Sequence, residues 1–370
     1  MVQVKDIVAI MEESFPTYLA ESWDNSGLQI GSKSKEVKRL LIALDLDQFV
    51  LQEAQKQQVD MIITHHPLLL KSIKNIDYNT ALGKMIKELI IADITLYTAH
   101  TNLDSAEQGL NQVLAERLSL INIRPLYKAY QETLFKLVVF VPISHIEPVR
   151  EAIARAGGGS IGRYSDCSFR SQGTGTFRPG NETKPYIGQI GKLEEVDEYR
   201  LETIVGRSDL NRVLNAMLKA HPYEEVAYDI FRLENQGPIF SPGRRGNLIE
   251  QVSLRDYALS VKTILRLDSV RVVGDLERKV QNIAVISGSG ASLMGHVLGH
   301  NIDLLVTGDL KYHEAKEAEA AGLAIIDAGH QGTEAIAVPL ISEYLGSRLK
   351  NITPSVELVQ FQSPSCIKNI

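Results

Sequence analysis

Two adjacent histidines, His65 and His66, follow the apolar run Met61-Ile62-Ile63 and Thr64 and precede Pro67. Neutral imidazole is a common ligand for zinc, iron, nickel or copper. Neighbours on a regular strand point to opposite faces, so both rings can serve one site only if the chain turns as the strand ends. Pro67 favours such a turn, because it cannot continue a central strand and holds His66 extended. The competing reading is a polar strand end with two solvated histidines. A second polar stretch, His100-Thr101-Asn102-Leu103-Asp104, offers another imidazole and a carboxylate. Asp104 could equally cap a helix starting near Ala106. Further along, His330 and Glu334 stand four apart at a helix start, where they share one face. His65, His66, Asp104, His330 and Glu334 are more ligands than one tetrahedral zinc takes. Two ions sharing a carboxylate use them better.

The elements that must position these groups can be read from hydrophobic spacing. In the first segment, residues 39–45 predict a strand, 48–58 a helix, 61–64 the strand before the histidines, 80–91 a helix and 94–99 a strand running into His100. That βαβαβ order predicts a parallel sheet covered by helices. Open α/β sheets bind ligands at the carboxyl ends of such strands. Trp23-Asp24-Asn25-Ser26-Gly27-Leu28 predicts a tight turn, either functional or simply closing over a buried tryptophan.

The third segment repeats this grammar. Strands over 303–307 and 323–327 end in Gly308-Asp309 and in Gly329-His330 through Glu334. Ser287 to Ser292, a small-residue turn after the strand 282–286, predicts either an anion-binding helix start or a plain tight turn. The middle segment differs: a strand over 134–141, a helix over 145–156, a Gly/Ser/Thr-rich stretch to 180, then strand, helix over 210–220 and strand. Asp209 is placed to cap that last helix. His221-Pro222-Tyr223-Glu224-Glu225 predicts a polar turn, not a metal site. Residues 238–246 read as a linker, with Arg244 and Arg245 solvated. The boundaries are therefore 1–125 and 241–370 for the two halves of a metal-binding core, and 126–240 for an insert. The fold class is α/β: two similar βαβ-rich halves forming one core around a metal cleft, with an inserted ferredoxin-like α+β domain.

Composition narrows the function classes. At 370 residues the chain is long for one domain. A net charge of −6 argues against broad nucleic-acid binding. Two distant cysteines form neither a disulfide framework nor a thiolate zinc site, and fit a reducing cytoplasm. No run reaches the ~18 apolar residues of a membrane span, and the N-terminus carries no signal-peptide pattern.

The motifs Trp23-Asp24-Asn25-Ser26-Gly27-Leu28, Thr64-His65-His66-Pro67, Thr98 through Asp104, Thr307-Gly308-Asp309 and Asp327-Ala328-Gly329-His330 through Glu334 resemble those of the NIF-three-like dinuclear metal-centre family. Its members are often called type-two homologues of GTP cyclohydrolase I. Gln331 departs from the family's last motif, which has an aromatic residue there. The resemblance covers both outer segments, and the middle one resembles the PII- or CutA-like insert of the longer bacterial members. It implies two divalent ions per chain, zinc, iron, manganese or cobalt. His65, Asp104 and Glu334 would hold one, and His66, His330 and Glu334 the other. It implies a homohexamer with the sites facing an interior space. His100 and His313 would either stand behind the ligands and orient them or face the substrate, where they could move a proton. The implied activity is metal-dependent hydrolysis of a nucleotide or other heterocycle. The alternative is a non-catalytic metal-binding or regulatory hexamer whose insert senses a small-molecule ligand.

Overall fold

A computed structural model describes residues 1–350 and 356–367. The last stretches of the expected 241–370 segment, 351–355 and 368–370, lie outside the described residues. The chain divides into two compact units, Met1–Tyr130 with Phe240–Ile370, and Gln131–Ile239.

The first unit is built on two sheets. One contains β1 (Gly27–Ile30), β2 (Arg39–Ala43), β3 (Met61–Thr64) and β4 (Thr95–Thr98) in the order β1-β4-β3-β2. β2, β3 and β4 are parallel, and β1 runs antiparallel along β4. The other adds β5 (Ile121–Pro125) to a core of strands from the third segment. The second unit holds β6 (Tyr130–Pro142), β7 (Ser168–Phe177), β8 (Glu194–Gly206) and β9 (Tyr228–Phe240). In the third segment come β10 (Arg244–Ser253), β11 (Arg271–Val273), β12 (Lys279–Val285), β13 (Leu304–Thr307), β14 (Ala324–Asp327) and β15 (Glu357–Gln360). The second sheet reads β11-β14-β13-β12-β10-β5, with β12, β13 and β14 parallel. The series β11-β14-β13-β12 repeats the order β1-β4-β3-β2, antiparallel edge strand included. The sheets also exchange strands. β15 pairs with β2, and β5 pairs with β10.

β3, β4, β13 and β14 are buried at every position and largely apolar because both faces are covered. Leu40, Ile42, Met61 and Ile63 join one core with Leu304, Val306, Ala324 and Ile326 and with the helices Val4–Ser14, Leu110–Arg117, Leu254–Ile264 and Ala337–Leu349. The alternate residues Leu41, Ala43, Ile62 and Leu96 pack under the helices Gln48–Lys56 and Ala81–Ile91. Leu305 and Ile325 do the same on the far side of the second sheet.

Three expectations are corrected here. Residues 244–253 form β10, not linker, and Arg244 is buried, donating to the carbonyls of Ser241, Gly243, Ser105 and Ala106. Burial lowers its pKa to about 10, against the opposing charges of Glu107 and Asp104. Trp23 is exposed. Asp209 stands at the helix N-cap, but its carboxylate accepts from Arg212 (2.6 Å), not from the backbone.

The second unit is a four-stranded sheet in the order β7-β8-β6-β9, with the helices Ile146–Arg155 and Leu210–Ala220. Leu137, Val139, Leu201 and Val205 face Val149, Ile153, Val213 and Met217 in its core. The glycine-rich stretch holds the ten-residue strand β7, paired residue by residue with β8. No helix among the described residues is long and apolar enough to cross a membrane.

Candidate metal centre

The turn after β3 is real and held by hydrogen bonds. His65 N–H and His66 N–H both reach the Leu44 carbonyl (3.1 and 3.0 Å), and the Thr64 hydroxyl donates to the His66 carbonyl (2.8 Å). The two rings thereby converge, with centroids 5.0 Å apart. His65 is fully buried. Its Nδ1–H donates to the Ala99 carbonyl at the end of β4 (2.8 Å), which leaves Nε2 aimed inward. Among the described residues that Nε2 is buried without a hydrogen-bond partner.

His100 follows β4 and Asp104 lies inside the short helix Thr101–Ser105. Asp104 is therefore no cap; the next helix starts after Gly109. Its carboxylate accepts from the Ser287 hydroxyl (3.2 Å) and lies 3.8 Å from His65 Nε2. From the second sheet come His330 and Glu334, at the two ends of the helix His330–Glu334 that follows β14.

Glu334 joins all the parts. Its Oε1 is 3.7 Å from His65 Nε2, and its Oε2 is 2.9 Å from His66 Nε2 and 3.0 Å from His330 Nε2. Those last two nitrogens face each other at 3.3 Å. Gly288, at φ +61°, makes the space: an added Cβ would collide with the Glu334 carboxylate. Two ligand groups thus stand close enough to hold ions, His66, His330 and Glu334, and His65, His66 and His100.

Each outer nitrogen has its own carboxylate or carbonyl. His66 Nδ1–H donates to Asp45 (2.7 Å), His330 Nδ1–H to Asp309 (2.7 Å) and His100 Nδ1–H to Asp24 (2.8 Å). This is the arrangement that fixes tautomer and ring direction in metal sites. Asp309 adopts φ +55° to do so, a left-handed conformation that Asp tolerates better than most residues. Asp24 also accepts from Thr101 N–H (3.1 Å) and the Ser26 hydroxyl (2.9 Å). Burial disfavours its charge, but the bonds from His100, Thr101 and Ser26 hold its carboxyl well below the usual range.

The electrostatics favour positive charge at this cluster. Burial works against charge on His66, yet Asp45 and Glu334 push its pKa up to about 10. The hydrogen bond to Glu334 takes His330 to about 9 against burial. His65 is also raised, burial being outweighed by Glu334 and Asp104. Glu334 is held well below the carboxylate range, its burial offset by the three imidazoles. Asp104 moves the other way, raised by burial and by the charge of Glu334. Imidazoles and carboxylates of this kind suit zinc, iron, manganese or cobalt. The orphaned His65 Nε2 and the opposed nitrogens of His66 and His330 fit a divalent cation between them.

The Duf34/NIF3 (NGG1p interacting factor 3) profile matches residues 2–365. The chain belongs to this family. Within the Duf34/NIF3 family it is 42% identical over 353 residues to a Halalkalibacterium halodurans protein named GTP cyclohydrolase 1 type 2 homolog, covering 95% of each. A Bacillus subtilis protein of the same name is 42% identical over 326 residues, 88% of this chain and 87% of that one. The crystal structure of a Bacillus cereus protein related to NIF3 matches with a TM-score of 0.90 at 39% identity, covering 100% of this chain and 99% of that one.

Seen as a Duf34/NIF3 site, the cluster brings together His65, His66, His100, Asp104, His330 and Glu334. His313 stands apart: it is exposed, and its ring contact is with Tyr312. The start of the Ser287 turn serves the site. Ser287 N–H donates to the Asn111 side-chain oxygen (2.8 Å) and Gly288 N–H to the Thr333 hydroxyl (2.9 Å), so these two N–H groups brace the site. Asp45 was missed by sequence reasoning. Its signal is a carboxylate two residues past a parallel strand adjoining the histidine strand.

Proposed function

We propose that this chain is a dinuclear metal-dependent hydrolase acting on a nucleotide or other nitrogen heterocycle. In this reading His65, Asp104 and Glu334 hold one divalent ion, and His66, His330 and Glu334 hold the second. The observation that carries it is the division of the Glu334 carboxylate, one oxygen toward His65 and the other toward His66 and His330. When bound, two such ions supply Lewis-acid polarisation and lower the pKa of water toward neutrality. The chain's own residues do the rest. Asp45 and Asp309 orient the ligand imidazoles, and Ser287 fixes the Asp104 carboxylate. His100, anchored by Asp24, is the group placed to hold or pass a proton beside the cluster. His313 would need to reach the substrate from its exposed position at the start of the helix Tyr312–Ala320.

The names of the relatives support a cyclohydrolase-like reaction on a heterocycle. We read the assembly as a cytoplasmic homohexamer with the sites facing its interior, and the second unit as a ferredoxin-like, PII/CutA-like insert, supported by its βαββαβ order. The test is turnover of a panel of nucleotides and related heterocycles by protein loaded in turn with zinc, iron, manganese and cobalt. Glu334→Gln and His100→Gln serve as controls. We expect release of a hydrolysis product that Glu334→Gln abolishes and His100→Gln slows without loss of metal. An assembly that dissolves on chelation, with no turnover in any metal form, would make the ions structural and overturn the hydrolase reading.

A further inference from the structure

The second unit carries a cavity of its own, on the face of its sheet turned away from the helices. Phe140 on β6 and Glu198 on β8 point to this face, since their neighbours Val139, Val141 and Leu201 belong to the core on the other. On β7, Gly173 lies opposite Glu198 and Phe177 opposite Glu194. Residues of the chain from Arg178 to Ile187 and the segment Tyr223-Glu224-Glu225 close the space, about 410 Å³ in volume. That is within the ~300–1,000 Å³ typical of small-molecule sites.

Its walls are aromatic and its polar groups acidic. Phe140, Phe177, Tyr186 and Tyr223 line it. The Phe177 and Tyr223 rings are 5.9 Å apart, and those of Tyr186 and Tyr223 6.3 Å, both pairs tilted. Three carboxylates, Glu198, Glu224 and Glu225, face one guanidinium, Arg178, which donates to the Gly191 carbonyl (2.6 Å). Glu198 is only 7% exposed and, among the described residues, has no ion-pair partner within 4 Å. A buried carboxylate without a cation is costly. The fold nevertheless keeps room for it: a Cβ at Gly175 would run into the Glu198 carboxylate. Beside it lies the buried Tyr223 hydroxyl, turned toward the Glu198 carboxylate. Burial and the neighbouring charge of Glu198 both raise the pKa of that phenol, so it stays a neutral donor and acceptor.

His221 sets the wall. Its Nε2–H donates to the Phe140 carbonyl (2.9 Å), and its Nδ1 accepts from Tyr223 N–H (3.1 Å). Both nitrogens are used by the backbone, which explains a His-Pro-Tyr-Glu-Glu segment without a metal. The ring places Tyr223 against the cavity.

We propose that this cavity binds an organic cation, a protonated amine or quaternary ammonium on a small apolar body. Aromatic faces attract such a cation, and a desolvated carboxylate completes its neutralisation. Arg200 already stands over the Phe140 ring at 5.7 Å, the same attraction within the chain. Every residue that lines the cavity belongs to the second unit.

The test uses the full-length protein and four probes of similar size: benzylamine, choline, benzyl alcohol and benzoate. Isothermal titration should show binding of benzylamine, choline or both, weaker binding of the alcohol by about tenfold, and none of benzoate. Which of the two cations binds tells a primary amine site from a quaternary one. Glu198→Gln should weaken the bound cation by about tenfold or more while leaving metal content unchanged. Tyr186→Leu, at an exposed ring whose loss the fold tolerates, should weaken it too and guards against an unstable Glu198 variant. Equal binding of the alcohol or benzoate, binding by no probe, or wild-type affinity in a folded Glu198→Gln protein would each overturn the proposal.

Discussion

Replacing Glu334 by Gln asks whether one carboxylate serves two ions. The substitution keeps shape and volume and removes the charge. Glu334 is almost fully buried, and its oxygens lie 2.9 and 3.0 Å from His66 and His330 and 3.7 Å from His65. Removing one partner of a buried charge pair costs about 3–5 kcal/mol. At ~1.4 kcal/mol per decade that is roughly two to three and a half decades of affinity, and it falls on both ions. Asp104→Asn makes the contrast. Asp104 is near His65 alone of the ligand imidazoles, at 3.8 Å, so its loss should weaken one ion only. The assay is metal content per chain after dialysis against a series of buffered free-metal concentrations. Wild type should retain about two ions at a concentration where Glu334→Gln retains none and Asp104→Asn one. Loss of a single ion in Glu334→Gln, or of both in Asp104→Asn, would refute the shared-carboxylate arrangement.

Three further outcomes are expected. Asp45→Asn and Asp309→Asn should each weaken metal binding roughly 10–100-fold at the His66/His330 ion, by freeing the imidazole each now orients, as the same metal titration would read. Replacing 131–239 with a short Gly/Ser linker should leave a folded, metal-binding core. The flanking chain is already paired, Leu126 N–H to the Gly243 carbonyl (3.0 Å) and Ala129 N–H to that of Phe240 (3.2 Å), and soluble protein with wild-type metal content is the check. The third outcome concerns acid. Burial lowers the His221 pKa below its usual value of about 6.5, so the unfolded chain takes up that proton first. The contribution to stability is present above that pH and is lost as pH falls through the folded value. His221→Gln should therefore lose less thermal stability than wild type between about pH 7.5 and 5.5.

The parts of the site that were legible in the sequence share one cause. A strand buried on both faces must be apolar throughout, so a polar residue at its end marks the exit from the core. That exposed His65, His66, His100 and His330 as strand-end groups. The carboxylates behind the imidazoles were harder to see. Asp45 lies two residues before Asp47, whose side chain caps the next helix by accepting from Val50 N–H (2.9 Å), and a sequence has no sign to separate the two roles. Arg244 reads as a solvated loop residue because nothing local shows the four carbonyls that surround it. The strands β5, β10 and β15 were missed for a related reason. They lie toward the edge of a sheet and pair with segments far away in the chain, and β5 and β15 have polar, exposed positions that give no hydrophobic period.

The strand exchange bears on why the centre cannot be split. Each sheet contributes its own strand ends, β3 and β4 from one and β12 and β14 from the other. Glu334, carried by the second, has two of its three imidazole neighbours on the first. Asn111 ties the same seam: its amide donates to the Pro242 carbonyl (2.9 Å) and the Ser287 hydroxyl (3.1 Å), while its oxygen accepts from Ser287 N–H. Arg244 closes it from β10 onto the carbonyls of Ser105 and Ala106, immediately past Asp104. With β5 lent to one sheet and β15 to the other, separating the halves would expose two sheet edges and strand a buried carboxylate among unpaired imidazoles. The repeated strand order supplies two similar scaffolds. The cluster of imidazoles and carboxylates exists only where they meet.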